Sequence, residues 1–461
     1  MREAAATVAR LAAAFEEIGV DEGARIAVIG ANSPWHYIVH VAASWLRAVT
    51  VPLSPRMPSP ALTSMCEQVG VSWVFLDEAS SRTHAPALSD AGAQVASFAD
   101  LSAWADRAAP IGHPPARCGN ELAAILFTSG STGTPRPVEL THEVMWWGST
   151  NFREGFDYAP TSSVVGVCAP TSHIGGFNGT SMDTWTHGGT LVTLGFPGSF
   201  DARGVIDAIE RYGITMMFAV PAIVRAILDE HERGGGDLSS WVRPLIGGDA
   251  MTADLTDAMC TVGLSPIHVW GMTETSGAGT VATPDSGAPA GSLGVPFPYV
   301  DLRLMATDER EAGVDEMGEI WVRGPGVVSG DEWLRTGDLA TKDEDGWLHM
   351  VGRAHRMINT GGELVAPPTV ERALRSLDEV SDALVVGLPD ERWGQIVAAL
   401  IVPSPEGRAQ ASSMSTEALS EALSDAQAPW EKVRRVLIVD ALPTTTTGKP
   451  DPVAAARLFD S

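Results

Sequence analysis

The segment ILFTSGSTGTP at residues 125–135 joins an apolar strand to a loop of glycines and hydroxyl side chains. Glycines let several backbone N–H groups converge on one point, and serine and threonine hydroxyls add donors for phosphate oxygens. The loop is not a Walker loop, because it lacks the Gly-x-x-x-x-Gly-Lys-Ser/Thr spacing and the lysine. A Ser/Gly/Thr tract by itself is more often a flexible connection, so both interpretations stay open at this stage.

Strand-like and helix-like patterns alternate on both sides of this segment. Apolar residues recur at helical spacing from Val8, and Ser-Pro pairs at Ser33 and Ser59 are typical helix starts. Strands are predicted at residues 26–29, 50–53, 71–76, 164–168 and 215–219. This alternation predicts an α/β protein whose layered subdomains contain largely parallel sheets.

The pattern changes near residue 300. Strands at 301–305 and 319–322 predict a small β-rich subdomain. A helix at 368–377 and strands at 382–386, 396–402 and 436–439 predict a small α+β domain, while residues 403–416 have the composition of a surface loop. We therefore expect a large N-terminal domain at residues 1–354 and a small, mobile C-terminal domain at residues 355–461.

Composition limits the classes of partner. The chain has 461 residues and a formal net charge of −26, which argues against nucleic acid and requires local cations around any polyphosphate ligand. Four scattered cysteines form no CxxC pair, so neither a disulfide framework nor a zinc site is indicated. No apolar run reaches the length of a membrane span, and residues 1–17 carry acids rather than a signal-peptide pattern. We expect a cytoplasmic protein, and its oligomeric state is open.

Two further segments carry groups that suit a nucleotide. In residues 270–274, an aromatic side chain can stack on a base, Thr273 can donate to phosphate, and Glu274 can hold Mg²⁺. The alternative is a helix N-terminus capped by that threonine. Asp338, in the sequence Arg-Thr-Gly-Asp, can accept two ribose hydroxyls, although an exposed aspartate in a turn is commonplace. Lys449, near the C-terminus, is either a ligand or a solvated lysine of a polar tail.

Taken in order, these segments resemble the adenylate-forming superfamily of acyl-CoA synthetases, luciferases and nonribosomal-peptide adenylation domains, over nearly the whole chain. The resemblance implies ATP or AMP, Mg²⁺ and coenzyme A as cofactors. The implied nucleotide contacts are Thr128, Ser129, Gly130, Ser131, Thr132, Gly133, Gly248, Asp249, Trp270, Gly271, Met272, Thr273, Asp338 and Arg353. Residues 128–133 would cradle the ATP phosphates, and Trp270, at a position usually occupied by tyrosine, would line the adenine.

The resemblance also implies individual roles. Thr273 would contact the α-phosphate, Glu274 would bind Mg²⁺, and Asp338 with Arg353 would hold the ribose. His173 matches a histidine beside the acyl pocket, although a lone histidine is more often a core or surface residue. Lys449 matches the lysine that bridges the carboxylate and the α-phosphate. Gly361 and Gly362 resemble a segment that lines the coenzyme A channel.

The implied reaction has two steps. A substrate carboxylate attacks the α-phosphorus of ATP, and after rotation about a pivot at His355 the thiol of coenzyme A attacks the acyl-AMP. Gly175 stands where amino-acid enzymes place an aspartate, which disfavours an amino acid. Gly271 stands where short-chain enzymes have tryptophan. Together with the glycines near the same site it predicts room for a bulky acyl or aryl group; these are Gly175, Gly176, Gly247 and Gly248. We expect a small-molecule carboxylic acid and coenzyme A as the partners, and coenzyme A is favoured over a tethered thiol because no carrier module follows.

Departures from the family pattern leave alternatives. Arg136 and Pro137 replace a usual Lys-Gly beside the phosphate loop, which leaves as an alternative an enzyme that forms thioesters from acyl-AMP but adenylates weakly. The retained Lys449, whose implied role is in adenylation, favours the full two-step ligase. A non-catalytic nucleotide- or acyl-binding homologue would be expected to lose Glu274, Asp338 or Lys449, and all three are present. A luciferase-like oxygenase would share the first step.

Overall fold

The computed structural model describes residues 2–112, 119–129, 135–196, 200–249, 251–409, 430–445 and 450–459. The chain forms two compact units. The first comprises Met1–Leu302 and Val322–Leu334, and the second comprises Arg303–Trp321 and Arg335–Ser461.

The first sheet has six strands in the order β4-β3-β1-β2-β5-β6, and every pairing is parallel except β5 with β6. Its strands are β1 Arg25–Ile29, β2 Val49–Leu53, β3 Val71–Leu76, β4 Gln94–Ser97, β5 Leu122–Ser129 and β6 Pro135–Thr141. Its helices are α1 Arg2–Glu17, α2 Pro34–Trp45, α3 Ser59–Gln68, α4 Glu78–Asp90, α5 Phe98–Arg107 and α6 His142–Gly155.

Strand β1 shows why this sheet is covered on both faces. Ile26 and Val28 pack into one buried cluster with α1, α2 and α5, whereas Ala27 and Ile29 pack into another with α3 and α4. Successive side chains of a strand point to opposite faces, so a continuous apolar run requires two apolar layers. The sequence pattern at residues 26–29 therefore predicts a central strand, and the structure confirms it.

The second sheet has seven strands in the order β13-β12-β11-β10-β9-β7-β8. The strands are β7 Val164–Val167, β8 Thr190–Thr193, β9 Met216–Ala219, β10 Arg243–Gly247, β11 Ile267–Trp270, β12 Thr280–Ala282 and β13 Val295–Pro296. Strands β7 to β11 pair in parallel, and β12 and β13 add antiparallel pairs. The accompanying helices are α7 Ile174–Phe177, α8 Thr180–His187, α9 Ala202–Tyr212, α10 Pro221–Gly234 and α11 Ala253–Thr261.

The remaining strands form two smaller sheets. A four-stranded sheet contains β14 Asp301–Met305, β15 Gly318–Arg323, β16 Leu334–Lys342 and β17 Leu348–Arg353, in that order. A five-stranded sheet contains β18 Ile358–Thr360, β19 Glu363–Val365, β20 Val380–Asp390, β21 Gly394–Pro403 and β22 Arg435–Ile438. Helices α12 Pro367–Arg375, α13 Pro405–Ala409 and α14 Pro452–Leu458 complete the second unit.

The predicted fold class is confirmed, with α/β layers first, a small β-rich sheet next and an α+β region last. The loop predicted at residues 403–416 is wrong where α13 forms, because Pro405 starts a helical turn whose Gly407 N–H is accepted by the Ser404 hydroxyl. The part of that loop beyond residue 409 lies outside the described residues. The second compact unit begins before residue 354, because it includes Arg303–Trp321 and starts again at Arg335. The predicted mobile domain at residues 355–461 stays a prediction. Among the described helices, none is long and apolar enough to cross a membrane.

Candidate active site

Two of the predicted nucleotide segments lie at the same edge of the second sheet. Strand β10 ends at Gly247 and leads into Gly248 and Asp249, while its parallel neighbour β11 ends at Trp270. Because parallel strands bring their carboxyl ends to one edge, both segments meet where open α/β sheets bind ligands. Gly248 has a φ of +81°, a backbone conformation that favours glycine.

The residues after β11 form a 3₁₀ turn, Thr273–Thr275. The Thr275 hydroxyl accepts the Met272 N–H at 3.0 Å and donates to the Met272 carbonyl at 3.0 Å. The N–H of Val328 also donates to the Glu274 carbonyl at 2.9 Å. The threonine N-cap interpretation is therefore wrong, because Met272 is the capping residue and it is the side chain of Thr275, not Thr273, that bonds the backbone.

This turn presents Thr273 and Glu274 at the sheet edge. Both residues are half-buried, and neither side chain hydrogen-bonds to any residue that the structure describes. The described chain contains no group of three or more His, Cys, Asp or Glu side chains arranged to hold a metal. A Mg²⁺ ion at Glu274 would take its other ligands from phosphate oxygens and water, which suits an ion that keeps several waters.

Trp270 is more enclosed than an open stacking platform. It is 7% exposed, and a Cβ built on Gly279 would lie 2.4 Å from its ring. The indole of Trp270 can therefore pack here only because Gly279 has no side chain. Contact of Trp270 with adenine stays a prediction.

The glycines near this edge are packed. A Cβ on Gly271 would lie 2.2 Å from the Gly277 carbonyl oxygen, and one on Gly176 would lie 2.4 Å from the Pro170 carbonyl oxygen. The space at both positions is filled by backbone, so their lack of a side chain does not by itself provide room for a substrate. A large acyl pocket therefore does not follow from Gly271 and Gly176.

Phe218 is a further candidate site residue, which no sequence motif indicates. A Cβ on Gly175 would lie 2.6 Å from its ring, and a Cβ on Gly247 would lie 3.1 Å from the ring on another side. Phe218 is the one aromatic residue of β9 and stands one position before the strand ends. An aromatic side chain at the carboxyl end of a parallel strand is the signal that could have identified it.

His173 caps the short helix α7 at the same edge. The preceding loop is held by Asn32, whose side-chain amide donates to the Ala169 carbonyl at 2.8 Å and accepts the Thr171 N–H at 2.9 Å. Helix α7 also approaches the residues that follow the 273–275 turn, since a Cβ on Gly277 would lie 3.7 Å from Ile174. The structure thus brings the His173 segment and the Thr273 segment together.

The structure describes only the start of the predicted phosphate loop. Thr128 and Ser129 end β5, and they pair with Arg136 and Pro135 of β6 in an antiparallel ladder. Gly130, Ser131, Thr132 and Gly133 lie outside the described residues, as does Lys449. Pro137 lies in β6, the last strand of its sheet, opposite Phe127. An edge strand tolerates proline because its outer N–H needs no ladder partner.

In the second unit, Asp338 and Arg353 are directly opposite each other on β16 and β17. The Arg353 Nε lies 2.8 Å from an Asp338 carboxylate oxygen, with the two side chains 49% and 2% exposed. The interpretation of Asp338 as an exposed turn residue is wrong. A buried carboxylate needs a charged or hydrogen-bonding partner, and Arg353 supplies one.

Gly361 and Gly362 form the turn between β18 and β19, with φ values of +67° and +93°. The Gly361 N–H donates to the Trp393 carbonyl at 2.8 Å, and a Cβ at Gly361 would lie 2.6 Å from the indole of Trp393. His355 lies in the 3₁₀ turn Ala354–Arg356, which connects β17 to β18. Burial, with Arg353 and Arg356 nearby, lowers the pKa of His355, and Asp338 opposes that shift.

The chain matches known family models and curated proteins over most of its length. The family model described as AMP-binding enzyme matches residues 1–330, and the model for the AMP-binding enzyme C-terminal domain matches residues 369–449. A feruloyl-CoA synthase of Amycolatopsis sp is 32% identical, over 96% of this chain and 90% of that protein. An indoleacetate–CoA ligase of Aromatoleum aromaticum is 29% identical, with coverages of 96% and 90%.

Solved structures share the fold. The anthranilate CoA ligase AuaEII with anthranoyl-AMP has a TM-score of 0.88 at 20% identity, covering 100% of this chain and 92% of that one. The o-succinylbenzoate coenzyme A synthetase MenE of Bacillus subtilis with ATP and magnesium has a TM-score of 0.85 at 22% identity, with coverages of 98% and 93%.

Proposed function

Because the chain belongs to the AMP-binding enzyme family, we propose that it is the ligase of an aryl or similarly bulky carboxylic acid. The enzyme is an ATP-dependent acid–CoA ligase that uses Mg²⁺, activates its acid as an acyl-AMP and transfers the acyl group to coenzyme A. Its substrates are therefore a carboxylic acid, ATP and coenzyme A. Location in the cytoplasm stays a prediction.

The environment of Phe218 carries the proposal on the acid. Its half-buried ring occupies the space that side chains at Gly175 and Gly247 would need, so an aromatic ring lies at the sheet edge next to the His173 segment. An aromatic wall favours a planar apolar substrate through offset or edge-to-face ring contacts. The relatives named for ferulate and indoleacetate both act on aromatic acids, which supports the same class here.

The residues from His173 to Asn178 contain no carboxylate that could hold an ammonium group. Burial of an unpaired ammonium would cost several kcal/mol. An α-amino acid is therefore a poor substrate, as the sequence predicts.

The nucleotide roles follow the geometry of each segment. We assign Thr273 to the α-phosphate and Glu274 to Mg²⁺, because both stand on a turn tethered through its backbone and neither side chain hydrogen-bonds within the described chain. Asp338 is assigned to the ribose hydroxyls, with Arg353 orienting its buried carboxylate through the ion pair. Bound Mg²⁺ supplies charge neutralisation on the phosphates.

The adenylation step needs no protein nucleophile. The substrate carboxylate attacks the α-phosphorus, the bond to the β-phosphate oxygen breaks, and pyrophosphate leaves. The protein contributes position and charge. Lys449 is assigned to hold the attacking carboxylate against the α-phosphate, and His173 is assigned to the border of the acid pocket. In the second step the thiolate of coenzyme A attacks the acyl carbonyl, and AMP leaves.

The location of Pro137 favours the full two-step ligase over one specialised for thioester formation. Proline in the outermost strand leaves the β5–β6 register unbroken from Ala124 to Ser129. The substitution therefore gives no physical reason for a weak grip on the triphosphate. The same two-step assignment disfavours a non-catalytic homologue and a luciferase-like oxygenase.

Mass spectrometry of reactions with ATP, Mg²⁺ and coenzyme A tests the proposal. We expect acyl-AMP and acyl-CoA from ferulate and from indoleacetate, with little product from acetate or alanine. Reactions without coenzyme A are the control, and they should stop at acyl-AMP. Turnover of acetate or alanine in preference to every aryl acid would overturn the assignment of the acid. Light emission with oxygen and no thioester would favour the oxygenase.

A further inference from the structure

Ser276 has a backbone conformation that serine rarely adopts. It follows the Thr273–Thr275 turn with φ +51° and ψ 27°, in the left-handed region, and it is fully buried. A residue with a Cβ pays a steric cost there that glycine avoids. Such outliers persist where the surrounding structure holds them, and they concentrate at functional sites.

Helix α6 makes room for this side chain. A Cβ on Gly148 would lie 2.5 Å from both the Cβ and the Oγ of Ser276. Any side chain at position 148 would therefore displace Ser276. The packing admits a serine at 276 only because the facing helix has a glycine.

Asn178 holds the serine hydroxyl in place. Its Nδ2 donates to the Ser276 Oγ at 2.9 Å and to the Met145 carbonyl at 3.1 Å. Its Oδ1 lies 3.4 Å from the Ser149 hydroxyl, which also donates to the Gly179 carbonyl at 3.1 Å. Asn178 is 1% exposed, and this orientation of its amide gives both hydrogens of the buried Nδ2 an acceptor.

The Asn178–Ser276 hydrogen bond joins two parts of the candidate site. Asn178 directly follows α7, the helix capped by His173, and Ser276 directly follows the turn that carries Thr273 and Glu274. The two residues are 98 positions apart in the chain. The other tethers of the turn are hydrogen bonds to its backbone, such as that from Val328, and they do not reach the Ser276 side chain.

We propose that Asn178 and Ser276 are a positioning pair that holds the turn so that Thr273 and Glu274 face the phosphates and their metal ion. The inference rests on the proposed function, because it uses the roles assigned to those two residues. Neither Asn178 nor Ser276 touches substrate in this assignment. The pair acts through the turn, and misplacement of a catalytic group by about 1 Å can cost as much as 100-fold in rate.

Ser276→Gly separates positioning from stability. Glycine removes the steric cost of the left-handed backbone, and this gain offsets the loss of the hydrogen bond made by the hydroxyl. The melting temperature should therefore stay the same or rise. Pyrophosphate release from ATP and acid should nevertheless fall about tenfold, with a higher KM for Mg·ATP. Thioester formation from supplied acyl-AMP and coenzyme A should change less, because no triphosphate is held in that step.

Glu309→Gly is the matched control, because Glu309 also has a left-handed backbone, with φ +61°, but is exposed and lies outside the Thr273–Ser276 segment. It should leave adenylation unchanged. Asn178→Ala should reproduce the adenylation defect of Ser276→Gly, and the double variant should lose no more than either single variant. If Asn178→Ala fails to fold, the Ser276→Gly result alone decides.

Glu274→Gln, assayed in parallel, distinguishes the two possible failures. Wild-type adenylation by Ser276→Gly, together with a loss in Glu274→Gln, would overturn the positioning pair and leave the proposed function intact. Wild-type adenylation by Glu274→Gln would instead overturn the assignment of the turn, and with it the pair. A defect in both variants, with Ser276→Gly as stable as the wild type, is the result expected.

Discussion

Asp338 and Arg353 face each other on neighbouring antiparallel strands, and the guanidinium Nε lies 2.8 Å from a carboxylate oxygen that is almost inaccessible to solvent. The arginine is half-exposed while the aspartate is 2% exposed. The half-exposed Arg353 guanidinium therefore offsets the cost of burying the Asp338 carboxylate. The ion pair fixes the carboxylate on β16, and we propose that it accepts the two ribose hydroxyls from there.

Replacement of Asp338 should weaken the binding of AMP. Asp338→Ala removes a charge-assisted acceptor, and we expect a loss of roughly 1.5–3 kcal/mol in binding free energy. Calorimetric titration with AMP measures it. Asp345→Ala, in the exposed turn between β16 and β17, is the control and should bind AMP normally. An unchanged affinity in Asp338→Ala would remove this residue from the nucleotide site.

Gly175 and Phe218 should compensate each other. Gly175→Ala places a methyl group 2.6 Å from the Phe218 ring, so the ring must move and kcat/KM for an aryl acid should fall about tenfold. Adding Phe218→Leu should recover part of that loss, whereas the effects of unrelated sites would simply add. Gly112→Ala, where a Cβ meets no atom of the described residues within 4 Å, is the control. Strict additivity of the two changes would contradict the packing that carries the proposed acid class.

Two buried histidines should make the protein less stable in mild acid. Burial lowers the pKa of His36 to about 4 and that of His40 to about 3, from 6.5; Asp77 opposes the first shift and His142 adds to the second. The unfolded chain then binds more protons than the folded chain below about pH 6.5. The free energy of unfolding should fall as pH drops from 6.5 towards 4, by up to about 1.4 kcal/mol per pH unit for each histidine.

Urea unfolding at several pH values measures this slope. The double variant His36→Gln, His40→Gln should show a shallower slope, since neither glutamine titrates. Each single variant should lie between the double variant and the wild type. Equal slopes in all four proteins would show that acid destabilises the fold through other groups.

The pivot at His355 can be tested through the two half-reactions. His355→Pro fixes φ at the proposed pivot and should impair one half-reaction more than the other. His355→Ala keeps the backbone free and is the matched control, with little change expected in the ratio of the two rates. Pyrophosphate release and thioester formation from acyl-AMP are measured separately. Equal losses in both half-reactions of a folded His355→Pro variant would argue against a pivot there.

The order of elements could be predicted from the sequence because its signals are local. A four-residue apolar run at 26–29 predicts a strand buried on both faces, and the Ser33–Pro34 pair predicts the start of α2; the structure confirms both. The ordered motifs likewise identified the family, since each motif is contiguous in the chain. The short helix α13 escaped prediction because five residues rich in polar and small side chains resemble a loop.

The arrangement of the candidate site depended on contacts between distant residues. The sequence predicted Asp338 and Thr273 as ligands, but only the tertiary structure buries Asp338 against Arg353 and places Phe218 between Gly175 and Gly247. Asn178 and Ser276 carry no motif, because neither has an unusual local pattern and they meet only when α7 packs beside the end of β11. Local periodicity determined which elements form, whereas long-range packing decided which side chains share an environment, and the chemistry of the site depends on that shared environment.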